Sequence, residues 1–260
     1  MKTSFTKRLS SMLSVDLRRM FVSRLTYIML AVAFVCPILI LVMTTMMDGA
    51  TTVNPQTNQV TTIEAFKSVW QAVSSMSDAP MSMDLTGMCN MNLMYFAAGV
   101  WLCLFVSEDF RSGYAKNLFT VRAKKTDYVI SKTLVGFLGG ALMLICWLLG
   151  SFIGGAVSSL PFDTMGASSL NVLMCLVSKL ALMGVFIPIF LSISVAAKQR
   201  SWLSICLSLG GGMLLFMMIP MLTPLDASPM NALLCIAGGA LFSLGLGAVS
   251  NLVLKKTALV

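Results

Sequence analysis

Histidine is absent from the 260 residues, and charged side chains make up only 11% of them. Without histidine there is no H-E-x-x-H metalloprotease, no serine–histidine protease and no cysteine–histidine acyltransferase. No G-x-x-x-x-G-K-[ST] loop occurs, so the chain holds no nucleotide through a Walker motif. The seven cysteines (Cys36, Cys89, Cys103, Cys146, Cys175, Cys206 and Cys235) contain no C-x-x-C pair. An odd, scattered set fits neither a disulfide framework nor a zinc site, and we read them as small apolar residues. A soluble domain carries about a quarter charged residues, so the scarcity of charge here points away from water.

What replaces charge is hydrocarbon. The hydrophobic fraction is 57% and the mean hydropathy +0.88. A bilayer core of about 30 Å needs about 20 apolar residues in a helix. Six stretches meet that length: Thr26–Met47, Gly87–Val106, Thr133–Val157, Leu170–Ala197, Trp202–Leu222 and Ala232–Leu254. Unbroken apolar runs without a period of two select helices over a barrel. The expectation is therefore an all-α integral membrane protein with six transmembrane helices. No expected span contains an acidic residue and no G-x-G-D is present, which disfavours proton relays, carboxylate-dependent carriers and aspartyl proteases.

Orientation follows from lysine and arginine. With the N-terminus in the cytoplasm, the inner segments hold Lys2, Lys7, Arg8, Arg18, Arg19, Arg24, Arg111, Lys116, Arg122, Lys124, Lys125, Lys132, Lys198, Arg200, Lys255 and Lys256. Those are sixteen of the eighteen cationic residues. Lys67 is the one cation in an outer loop and Lys179 falls within a span. The formal net charge of +8 thus expresses topology, with both termini cytoplasmic, and needs no nucleic-acid partner. The first apolar run is of full membrane length and lacks an A-x-A-like site, so it reads as an uncleaved span and not a signal peptide.

Residues 1–24 carry Leu9, Met12, Leu13, Leu17, Met20 and Phe21 at helical spacing, with Lys7, Ser11 and Arg18 opposite. This is the pattern of an amphipathic helix lying in the inner interface. Asp16 interrupts the apolar arc. The helix reads either as an interfacial anchor or as a docking surface for another subunit, because a carboxylate there requires a cationic partner. Residues 25–260 form one membrane domain, with an outer loop at 48–86 that reads as a loosely ordered cap with a short helix near 63–73. Gly136 and Gly140, Gly150 and Gly154, and Gly210–Gly212 supply surfaces for close helix approach.

The inner loop at 107–132 reads SEDFRSGYAKNLFTVRAKKTDYVISK. Phe110, Tyr114, Leu118 and Val121 share one face of a short amphipathic helix, Arg122–Lys125 forms a basic turn, and Thr126 or Asp127 is placed to cap the next helix. Positive-inside topology alone explains the charges and leaves the apolar spacing unexplained.

At these residues the chain resembles the permease subunits of type-2 ABC exporters. Glu108 or Asp109 closing the second span, Gly113, Lys116–Leu118, Arg122 and Lys132 follow that family's order. The length, six spans and preceding amphipathic helix resemble it too. The resemblance implies a transport subunit, not an enzyme, in a bacterial plasma membrane. Two permeases, identical or paralogous, would assemble with two ATPase chains that carry the ATP and magnesium. It also implies that Glu108, Asp109, Phe110, Gly113, Tyr114, Leu118, Arg122 and Lys124 couple to the ATPase, with Asp16, Arg18 and Arg19 on the interfacial helix. The segment 223–231 is too short for the re-entrant helices of polysaccharide and lipid exporters, which favours a peptide, antimicrobial or drug-like cargo. The alternative is a polytopic protein not driven by ATP, such as an immunity or sensor subunit.

Two further features stand out. Lys179 lies nine residues into the fourth span, roughly 13 Å deep at 1.5 Å per residue. It reads as a substrate or gate residue lining a wet cavity, or as a cation that snorkels or caps carbonyls near Pro188. Met76, Met81, Met83, Met88, Met91 and Met94 cluster at the outer mouth of the second span; without histidine, a pliable apolar surface is favoured over a copper site.

Overall fold

The structure, a computed structural model, describes residues 5–53, 60–62, 65–77, 89–121, 124–198, 200–216 and 218–256. Nine helices occur among them: α1 (Phe5–Val22), α2 (Arg24–Met46), α3 (Leu93–Arg111), α4 (Tyr114–Val121), α5 (Lys125–Val157), α6 (Ser169–Ala197), α7 (Ser201–Phe216), α8 (Met218–Leu222) and α9 (Pro229–Lys256). Two short strands, β1 (Thr51–Val53) and β2 (Val60–Thr62), pair antiparallel.

Five helices, α2, α3, α5, α6 and α9, are long and apolar enough to cross a membrane. Their outward residues are large hydrophobes such as Ile28, Leu39, Leu149, Leu234 and Leu241, a surface suited to lipid. The protein is membrane-embedded in character. Within the fifth expected span, Trp202–Leu222, the described residues form α7 and α8, and residue 217 between them lies outside the description.

The lipid-facing helices bury narrow stripes. On α2 the buried residues are Thr26, Ala33, Pro37, Leu41 and Thr44, and they meet glycines of α5. A Cβ at Gly150 would stand 2.2 Å from the Phe34 carbonyl oxygen, and one at Gly154 2.9 Å from the Ile38 Cα. Gly239 brings α9 just as close to the Ala181 carbonyl of α6. Small residues let backbones approach and gain dispersion where no hydrophobic force operates. Gly210, by contrast, faces open space. Pro188 frees the Gly184 carbonyl inside α6, and Ser243 of α9 donates to it at 3.0 Å.

Helix α3 sits centrally, with Tyr95, Ala98, Trp101, Leu102 and Val106 fully buried. One end of the bundle gathers α1, α4 and the basic residues; we call it the basic end. The other end is closed by residues 65–77. This segment is a plug, not a loose cap: its single 3₁₀ turn, Val69–Ala72, buries Val69 and Ala72 completely. The Trp147 indole donates to the Ala72 carbonyl at 3.0 Å, and Ser74 Oγ donates to the Thr223 carbonyl at 2.6 Å.

Candidate functional site

The basic end holds a buried ionic cluster. Apolar periodicity folds α1 with Met12 and Met20 inward, and the same face carries Asp16, fully buried between them. The α5 helix begins at Lys125, eight residues before the apolar run, and so places Ser131 and Lys132 beside α1. Lys132 Nζ lies 2.8 Å from Asp16 and 2.7 Å from Asp109, at the end of α3. Asp16 also accepts from Ser131 Oγ at 2.7 Å, and Asp109 from the Tyr128 hydroxyl at 2.9 Å. Arg19 lies 2.6 Å from Asp109 and 3.8 Å from Asp16. Two carboxylates and two cations thus balance, with Asp16, Asp109 and Lys132 buried and Arg19 partly exposed. The Phe105 ring lies 4.3 Å from the Lys132 ammonium, an added attraction in a low-dielectric site. A second pair, Arg8 to Asp127 at 3.0 Å, ties the start of α1 to the first turn of α5.

The cluster sets the electrostatics of the adjoining loop. Burial opposes the Arg19 charge, but its neighbours, the Asp109 and Asp16 carboxylates foremost, together outweigh it and hold the guanidinium above its ordinary range. The Tyr114 ring lies 4.3 Å from that guanidinium. Burial and the Asp16 carboxylate push the Tyr114 hydroxyl up, and Arg19 offsets this only in part.

The loop differs from its expected form. Phe110 closes α3, and Gly113, at φ +74°, breaks the chain before α4. That left-handed conformation favours glycine. Phe110, Tyr114 and Leu118 therefore do not share one helix; Phe110 is buried, Leu118 is half-buried against the chain's own core, and Tyr114 is half-buried against Arg19. Asp16 has its cationic partners within the chain, which removes the reason for reading it as a subunit-docking carboxylate. Of the acidic pair, Asp109 is buried while Glu108 is exposed. Arg18 is exposed, as the helical pattern required. Lys124 takes the N-cap position of α5, in place of Thr126 or Asp127, and is exposed. Arg122 lies outside the described residues, as do Met81, Met83 and Met88.

Lys179 is 1% exposed. Its ammonium donates to Asn92 Oδ1 at 2.7 Å and Thr223 Oγ1 at 3.2 Å, both near the plugged end. Its own carbonyl accepts from the Tyr95 hydroxyl at 2.9 Å. Neutral acceptors, not carbonyls near Pro188, satisfy this cation.

No family model, no curated protein and no solved structure matches the chain. The participants that sequence reading missed are Lys132 as the shared partner, Tyr128, Ser131 and the Arg8–Asp127 pair. Asp16 was the available signal, because an acid on an apolar stripe demands a cation.

Proposed function

We propose that this chain is the permease subunit of an ATP-driven, type-2 ABC-like exporter in a bacterial plasma membrane. In this reading α7 and α8 together make a sixth crossing, about 33 Å for 22 residues at 1.5 Å per residue. The basic end and both termini face the cytoplasm. Two permease copies, or this chain and a paralogue, pair with two ATPase chains that bind ATP and magnesium. The cargo is amphipathic: a peptide, an antimicrobial or a drug-like molecule.

The observation that carries this reading is the mounting of α4. A short cytoplasmic helix lies between the ends of two membrane-length helices, α3 and α5, and the buried cluster locks both ends to α1. Force applied to α4 is then transmitted to α3, α5 and α1 together, which is what a coupling lever requires. The surface left for an ATPase is polar: Lys116, Asn117, Thr120 and Lys124 are exposed, whereas the apolar side is occupied internally. Phe110, Tyr114 and Leu118 hold the lever in place, and Glu108 and Lys124 flank the contact.

The test is affinity purification of the tagged chain from its native membrane, followed by an ATPase assay. Recovery of a Walker-motif chain, with coupling lost on charge reversal of Lys116 and Lys124, supports the proposal. If no such chain associates, the reading fails, and an immunity or sensor role without ATP takes its place.

A further inference from the structure

A cleft of about 610 Å³ opens at the basic end beside the ionic cluster, where the α1–α2 junction meets the ends of α3 and α7. That volume lies within the roughly 300–1,000 Å³ range of ligand clefts. Its lining combines the cationic Arg18, Arg19 and Arg111 with the apolar Val22, Leu25 and Leu104. Arg19 is already committed to Asp109. Arg18 and Arg111 are exposed and make no ion pair among the described residues. Glu108 is the one carboxylate on the lining. Beside the cleft Phe21 is 48% and Val22 73% exposed, so the mouth borders a surface that belongs in hydrocarbon.

We infer that this cleft binds an anionic phospholipid, with its phosphate held by Arg18 and Arg111 and an acyl chain along Val22, Leu25 and Leu104. Two unpaired guanidinium groups at a membrane interface recognise a phosphate bidentately. The apolar part of the lining has no use for a free ion and suits a lipid tail. The site depends on membrane embedding and not on the transport reading. A bound lipid would brace the α1–α2 junction at Ser23 against the inner end of α3 and add to the ionic cluster's hold on α1.

The experiment is a binding titration of the full chain in detergent micelles, read by native mass spectrometry and by thermal shift. The probes are phosphatidylglycerol, phosphatidylcholine and inorganic phosphate at equal concentration. Phosphatidylglycerol should bind more tightly than phosphatidylcholine, and its advantage should shrink as salt is raised. At about 1 kcal/mol per arginine near the surface, Arg18→Gln or Arg111→Gln should weaken it roughly fivefold and the pair on the order of 30-fold. Glu108→Gln should tighten it by removing the opposing charge. Both arginines are exposed and unpaired, so their variants should fold, and the salt series on the unaltered chain needs no variant. Equal binding of the two lipids, unchanged selectivity in the double variant, or reproduction of the shift by phosphate alone would overturn the inference.

Discussion

Replacing Lys132 with methionine tests the ionic cluster directly. The ammonium is fully buried, 2.8 Å from one carboxylate and 2.7 Å from another. At an effective dielectric of about 20, its attraction to Asp16 alone is roughly 6 kcal/mol before desolvation is subtracted. Removing one partner from a buried pair costs about 3–5 kcal/mol, because the remaining charge stays buried without its counter-ion. Arg19 remains near both acids, so Lys132→Met should fall at the lower end, about 3 kcal/mol. The unfolding of purified protein in dodecyl maltoside, followed by tryptophan fluorescence, reads this out. Trp101 is a suitable reporter, since it stacks at 5.4 Å on Phe105, whose ring faces Lys132. Adding Asp16→Asn to Lys132→Met restores charge balance around Arg19 and Asp109. The double variant should therefore recover about 1 kcal/mol or more relative to the additive expectation. A Lys132→Met protein within about 0.5 kcal/mol of the parent, or strictly additive losses, would refute the reasoning.

Other outcomes are equally specific. Gly150→Ala should destabilise by about 1–3 kcal/mol or more, because its Cβ would meet the Phe34 carbonyl oxygen at 2.2 Å; Gly210→Ala, facing open space, should be neutral or stabilising by up to about 1 kcal/mol in the same unfolding assay. Lys179→Met leaves Asn92 and Thr223 buried without their donor and should cost about 1–3 kcal/mol, and a role in transport would add a change in cargo-stimulated ATPase activity that a folding defect alone does not produce. Cysteine labels at Ser112 should react only from the cytoplasm and at Ser228 only from outside; labelling in the reverse sense would overturn the orientation. Burial raises the Asp226 carboxyl, but hydrogen bonds from the Ser77 hydroxyl and backbone N–H outweigh it and hold the group below its ordinary value. Its contribution is therefore present above about pH 4 and is lost as pH falls through the lower folded value, so amide-exchange protection at 74–77, relative to the intrinsic rate at each pH, should fall only in acid.

The helical elements were legible because their causes are local. Apolar runs of membrane length, the 3.6-residue stripe from Leu9 to Met20, and the absence of intervening charge all lie within one segment. The concentration of lysine and arginine at one end could be read the same way. Asp16 stood out as an acid that needed a cation, yet its partner is 116 residues away. Sequence spacing carries no signal at that range, and an outside subunit satisfied the same requirement equally well. Phe110, Tyr114 and Leu118 matched a single helix by periodicity, but the turn at Gly113 places Phe110 on α3. The 65–77 segment looked loose because Val69, Ala72 and Val73 sit among polar neighbours, and only contact with Gly155, Trp147 and Thr223 turns it into a plug. Composition and periodicity thus determined that the chain forms apolar helices led by an amphipathic one. The tertiary structure decided which buried charges meet, which glycines touch a neighbouring backbone and which face of α4 remains free, because those depend on residues distant in the chain.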